Sequence, residues 1–206
     1  WALGYDENGR PIENKEVDYK DKPALVRPWP VGAHNWHPMS YSDQTGLVYI
    51  PTIEGMFQFG QDTNFKRKPG FWNTGNKEIE MPPGEQLFQD VIASKVISGA
   101  LLAWDPVKQQ KVWEVKHPLT WNGGVLSTAG NLVFQGTADG RMVAYKADSG
   151  EKVWEYKTQT GVIAPPVTDT VDGEQYITVM VGWGGAFGLA GGLAPPPGQP
   201  RSRILT

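Results

Sequence analysis

The side chains with chemical capacity fall into a few short stretches. His34-Asn35-Trp36-His37 places an amide and an indole side by side between two imidazoles. The amide both donates and accepts hydrogen bonds, and the indole offers one N–H and a flat apolar face. Trp121-Asn122-Gly123-Gly124 joins a second indole to a glycine pair, which lets backbone approach a flat ligand with no Cβ in the way. Val181-Gly182-Trp183-Gly184-Gly185 repeats that composition later in the chain. Each stretch also has a structural alternative. Asn35 can cap a turn with Trp36 in the core, and Gly123-Gly124 can serve a tight turn between repeats. Glycine is wanted wherever strands converge, which bears on the third stretch. His34 and His37 form H-x-x-H, but on an irregular segment without a third ligand nearby this is not expected to hold a metal.

Other chemistry is excluded by composition. The chain has no Cys, so thiolate zinc sites, disulfides and Cys nucleophiles are absent from it. Net charge is −3, against nucleic acid as the main partner. The one tight basic run, Lys66-Arg67-Lys68, reads as a solvated loop. Asp43 and Glu54 stand alone, and no acidic cluster has the spacing of a calcium site. No apolar run is long enough for a membrane span. His117, just before Pro118, reads as a loop residue.

The elements that position these residues follow from a repeat. Leu102-Ala103-Trp104-Asp105 runs on to Lys111-Val112-Trp113-Glu114, and Val143-Ala144-Tyr145-Lys146 runs on to Lys152-Val153-Trp154-Glu155. The second Trp lies 41 residues after the first, close to the length of a propeller blade. Within the period, Asn131 to Gly136 and Met142 to Tyr145 read as strands about an Asp139-Gly140 turn, and Ser149-Gly150 turns the chain into the segment of Trp154. Asp172-Gly173 precedes a further strand, Tyr176 to Val181. A weaker copy at the start turns at Asn8-Gly9, and a new unit opens at His37 to Tyr41 and continues through Pro51. These patterns predict an all-β chain of four-stranded antiparallel blades, with Trp113 and Trp154 buried between neighbours. Residues 60–98 read as a loop insertion, with one helical candidate from Glu85 to Ile97. About three blades are visible, too few to close a ring, so residues 1–206 are expected to form part of a larger propeller. The chain opens at Trp1 without an initiator Met or a leader, which suits a segment of that kind.

The longer motifs resemble the pyrroloquinoline quinone (PQQ)-dependent alcohol dehydrogenases. They are His34-Asn35-Trp36-His37-Pro38-Met39-Ser40-Tyr41, then Thr45-Gly46-Leu47-Val48-Tyr49, and Thr120-Trp121-Asn122-Gly123-Gly124-Val125-Leu126 running on to Asp139-Gly140. The Ala-x-Asp-x-x-x-Gly-Lys-x-x-Trp pattern is similar to that family's tryptophan-docking motif. The resemblance covers nearly the whole chain and is closest to the quinohaemoprotein type. It implies an eight-bladed propeller with PQQ and calcium on its axis, oxidising an alcohol to an aldehyde or ketone in the periplasm. It also implies a cytochrome as electron acceptor, with haem c in a separate domain, and the remainder of the propeller as partner. Asn35, Trp36, Trp121 and Val181 are the residues that the resemblance places against PQQ. The family's catalytic aspartate and calcium ligands match no position here, so no residue of this chain is expected to be catalytic or to bind metal. A non-catalytic propeller serving as a scaffold or binding module is the alternative, since fold does not dictate function.

Overall fold

The structure, a computed structural model, describes residues 1–71, 73–77, 98–183 and 203–206. The expected helix from Glu85 to Ile97 lies outside the described residues. Within them the strand pairs of every sheet are antiparallel, and the helical element is one 3-10 turn, Lys15–Val17, whose preceding Asn14 accepts a hydrogen bond from the Glu16 N–H. The chain opens with a hairpin of β1 (Ala2–Tyr5) and β2 (Pro11–Glu13). Its tip is the expected Asn8-Gly9 turn: the Asp6 carboxylate accepts from the N–H groups of Asn8 and Arg10, and Gly9 takes the left-handed φ of 74° that suits glycine. β3 (Ala24–Val26) then pairs with the later β6 (Phe57–Phe59) in a two-stranded ribbon that the sequence did not announce.

Two four-stranded sheets carry the body of the fold. The first is ordered β4 (Ser40–Ser42), β5 (Leu47–Glu54), β7 (Ser98–Asp105) and β8 (Gln110–His117). The second runs β9 (Val125–Thr128), β10 (Leu132–Thr137), β11 (Arg141–Lys146) and β12 (Lys152–Lys157). A third sheet has three described strands, β13 (Val167–Val171), β14 (Glu174–Val181) and β15 (Arg203–Leu205). The repeat read from the sequence is a repeat of register. Ala103 pairs with Trp113 and Ala144 with Trp154, and in both sheets the ladder slips immediately after that alanine.

The sheets pack face to face. In β5 every second residue (Leu47, Tyr49, Pro51, Ile53) is buried, the period of a strand with one face in the core. Leu47, Tyr49, Leu101 and Ala103 of the first sheet meet Val125, Val133, Val143, Tyr145 and Ala147 of the second. Trp113 seals this interface. Its indole donates to the Ala147 carbonyl at 3.1 Å, and its ring lies so close to Gly150 that a Cβ there would come within 2.7 Å of it. Gly150 also has φ 73°, so glycine is required twice over. At the edge of the interface β4 and β9 are tied by Ser40 and Ser127, whose hydroxyls are 2.5 Å apart, and by the Val125 N–H donating to the Pro38 carbonyl.

Trp154, expected in the same buried role, is instead 49% exposed. The corner that receives Trp113 follows the third strand of the next sheet, whereas β15 reaches only Leu205, and no described residue packs there as Ala147 and Gly150 do. Trp154 stacks on Tyr156 beside an apolar groove lined by Phe134, Met142, Ile177, Val179 and Leu205. His117 also departs from expectation. It closes β8, is 2% exposed, and hydrogen-bonds Gln135 at 3.0 Å, while Gln135 in turn donates to the Gly123 carbonyl. A polar side chain enters the interface there because its partners are already in place. Between β5 and β7 the chain leaves the sheet. Its described part includes β6 and a bridge between Gln61 and Asn76, with Lys66, Arg67 and Lys68 exposed.

Candidate functional site

Asn35 and Trp36 sit on the irregular segment between β3 and β4. The Asn35 amide is fixed at both ends: it donates to the Val31 carbonyl at 2.8 Å and accepts from the Trp36 N–H at 2.9 Å. One amide hydrogen remains for a ligand. Trp36 is 51% exposed and lies flat on His37, with ring centroids 4.2 Å apart and planes 23° apart. His37 is 2% exposed and packs at 5.1 Å against Trp121, and Trp121 lies 6.5 Å from Trp29. The four rings thus form one continuous row from the surface into the interior.

Trp121 is the most constrained member. It is buried and has φ 55°, a left-handed conformation that costs a bulky residue about 1–3 kcal/mol. Asn122 holds it there, donating to the Leu119 carbonyl at 2.8 Å and accepting from the Ala138 N–H at 3.0 Å. Gly99 makes room for that clamp, since a Cβ would sit 2.3 Å from the Asn122 amide nitrogen. The indole packs among Ile53, Ala138, Ile163 and Trp183. The glycine pair that follows serves packing rather than ligand approach. A Cβ at Gly123 would meet the Ala164 carbonyl at 2.8 Å, and one at Gly124 would meet Pro38 at 2.7 Å.

Three polar atoms along the row, Trp29 Nε1, His37 Nε2 and Trp121 Nε1, are buried without a hydrogen-bond partner among the described residues. Each such group costs about 1–3 kcal/mol, and an unsatisfied group in a native fold calls for an explanation. Burial, with a smaller contribution from His34, pushes the His37 pKa down to about 4, so the imidazole is neutral near pH 7. His34 is engaged elsewhere, its Nδ1 lying 2.7 Å from the Pro51 carbonyl. Among the described residues no group of three or more His, Asp or Glu side chains is placed to hold a metal ion.

The expected site residues therefore divide. Asn35, Trp36 and Trp121 share one neighbourhood, joined through Val31 and His37. Val181 lies apart: its side chain is buried with Met142, Val162 and Val179 between the second and third sheets. Only the chain just beyond it returns to the row, because Trp183 belongs to the cluster around Trp121. Sequence reasoning passed over Trp29 and took His37 only for a weak metal candidate. The signal for Trp29 was its setting, Pro28-Trp29-Pro30, in a chain where tryptophan is already in excess.

Face-packed antiparallel sheets of this repeat define a β-propeller. The glucose/ethanol/alcohol dehydrogenase β-propeller domain of the PQQ type matches residues 79–177. The chain is 49% identical to the quinohemoprotein alcohol dehydrogenase of Comamonas testosteroni over 92% of its own length and 27% of that protein's. It is 46% identical to the 1-butanol dehydrogenase (cytochrome c) of Thauera butanivorans, over 91% of this chain and 27% of that one. The solved quinohemoprotein alcohol dehydrogenase ADHIIG of Pseudomonas putida superposes with a TM-score of 0.86 at 45% identity, covering 99% of this chain and 31% of that one. Over nearly its whole length the chain is similar to PQQ-type alcohol dehydrogenases, and it spans a little under a third of the length of these relatives.

Proposed function

We propose that this chain forms one wall of the cofactor site in a PQQ-dependent enzyme that oxidises alcohols to aldehydes or ketones. When bound, PQQ supplies the two-electron acceptor that an alcohol's hydride requires, chemistry that no side chain offers. The observation that carries the reading is the unpartnered indole N–H of the strained Trp121, in one aromatic row with Trp36 and beside the Asn35 amide. These groups are donors, and a cofactor rich in carbonyl and carboxylate oxygens is an acceptor. Asn35 would donate its remaining amide hydrogen to such an oxygen. Trp36 presents a flat face and Trp121 a preset N–H, so little side-chain freedom is lost on binding. The row also keeps water from that side of the site. Val181 acts indirectly, by fixing the strand that delivers Trp183.

The catalytic base, the calcium ligands and the remainder of the propeller belong to other parts of the protein in this reading. A small alcohol is the substrate, a cytochrome carrying haem c receives the electrons, and the periplasm is the compartment. Support for the substrate class and the acceptor comes from the relatives' printed names, a quinohemoprotein alcohol dehydrogenase and a cytochrome c-linked 1-butanol dehydrogenase. Among the described residues no helix is long and apolar enough to cross a membrane. The test is Asn35→Ala in the whole protein that carries this chain. PQQ affinity should fall by about tenfold, the worth of one hydrogen bond to a charged or strongly polar group. Unchanged PQQ affinity together with unchanged alcohol oxidation refutes the assignment.

A further inference from the structure

His37 is given no contact with the cofactor in the function proposed above, yet it is the residue on which that wall rests. Its imidazole is enclosed between two indoles, 4.2 Å from the exposed Trp36 and 5.1 Å from the buried Trp121. No other described ring contact joins these two tryptophans. Trp36 is half exposed, so little else restrains its plane, and a large side chain left free on a surface samples several rotamers. We infer that His37 is a positioning residue that sets the planes of Trp36 and Trp121 against the cofactor by stacking between them. This rests on the proposed PQQ site and adds to it a residue that does not touch the cofactor.

The type of side chain suits the task. Imidazole is flat like an indole but smaller, which lets Trp36 lie nearly parallel on it while Trp121 meets it tilted at 48°. The same desolvation that encloses the ring keeps it uncharged, so the stack is between neutral rings across the neutral pH range. The segment is short: Trp36 is its chain neighbour, and Pro38 follows with its carbonyl held by the Val125 N–H of the second sheet. The imidazole is thus anchored to the framework within one residue on its C-terminal side.

The test uses the whole protein prepared free of PQQ and titrated with PQQ. Its readouts are quenching of tryptophan fluorescence, which gives the dissociation constant, and the absorption band of the bound cofactor. His37→Phe keeps a flat ring, whereas His37→Leu keeps volume without one. The expected result is that His37→Leu weakens PQQ binding by about tenfold or more and shifts the absorption band, the scale of effect that misplacement of a binding group produces. His37→Phe should restore both to near the unmodified protein. If His37→Leu does not fold, judged by its melting transition, His37→Gln takes its place with the same expected loss. Unaltered binding and spectrum in the ringless variant overturn the inference, as does a His37→Phe protein that is folded yet as weak as His37→Leu. An unmodified protein that binds no PQQ overturns the proposed function, and this inference with it.

Discussion

Two histidines enclosed in the sheet interfaces tie stability to pH. For His37, burial and then His34 lower the pKa to about 4 from an ordinary 6.5, and for His117 burial lowers it against the opposing hydrogen bond from Gln135. As pH falls through about 6.5 the unfolded chain takes up protons that the folded chain refuses. The unfolded state then binds more protons, so folding stability falls with pH until about 4, where folded His37 titrates too. His37→Phe removes one of these protons from the balance. In urea unfolding, the stability of the native protein relative to His37→Phe should fall between pH 7 and pH 4, by up to about 3 kcal/mol. A difference that stays constant over that interval would contradict a buried neutral His37. At this scale the sequence is only partly readable. Asn35 and Trp121 stood out by type, but the left-handed backbone of Trp121 and the burial of His117 did not. Both depend on partners distant in the chain: Ala138 for the Asn122 clamp, and Gln135 for His117.

At the scale of elements, the repeat was the legible part. Asp139-Gly140 and Ser149-Gly150 turn where expected, with Gly140 at φ 87° and Gly150 at 73°, and the strands between them fall within a residue or two of their expected ends. The ribbon of β3 and β6 was not legible, because each strand is three residues long and finds its partner about thirty residues away. The two repeated tryptophans look alike in sequence and differ in the fold. Trp113→Ala in this chain should cost about 3 kcal/mol, the low end for a large aromatic, because the indole is partly buried against the core and also loses its hydrogen bond to Ala147. Trp154→Ala should cost less than about 1 kcal/mol, since much of the ring is already in water. Denaturant midpoints of the two variants check this, and equal losses would mean that Trp154 is covered as Trp113 is.

At the scale of the molecule, the proposed function asks of this chain only sheets and one wall of the cofactor site. Hydride transfer from an alcohol needs a positioned base to take the hydroxyl proton, and calcium needs six to eight oxygen ligands brought together. The 206-residue chain, given PQQ, calcium, ethanol and a dye acceptor, is therefore expected to reduce the dye no faster than free PQQ does. Sustained reduction above that rate would place base and metal site within these residues. The fold class was readable at this scale because a period near forty with recurrent tryptophans has few physical solutions. The convergence of Trp29, Trp36, His37, Trp121 and Trp183 on one neighbourhood was not readable, since no period relates these positions.

The pairing of β5 with β7 bears on how such a chain can vary. Seven consecutive partners, from Val48 with Trp104 to Glu54 with Ser98, fix the alignment of two strands that are separated by residues 55–97. Bringing together the ends of so long a stretch from the unfolded chain costs about 2 kcal/mol more in entropy than closing a three-residue corner such as residues 138–140. That cost grows only with the logarithm of length, so ten residues more or fewer would alter it by a few tenths of a kcal/mol. Length between these two strands is therefore close to thermodynamically free, while their alignment is not. The excursion can lengthen or shorten without disturbing the two sheets on either side of Trp121, so long as β6 keeps its pairing with β3 and Gly55 its place against Trp29.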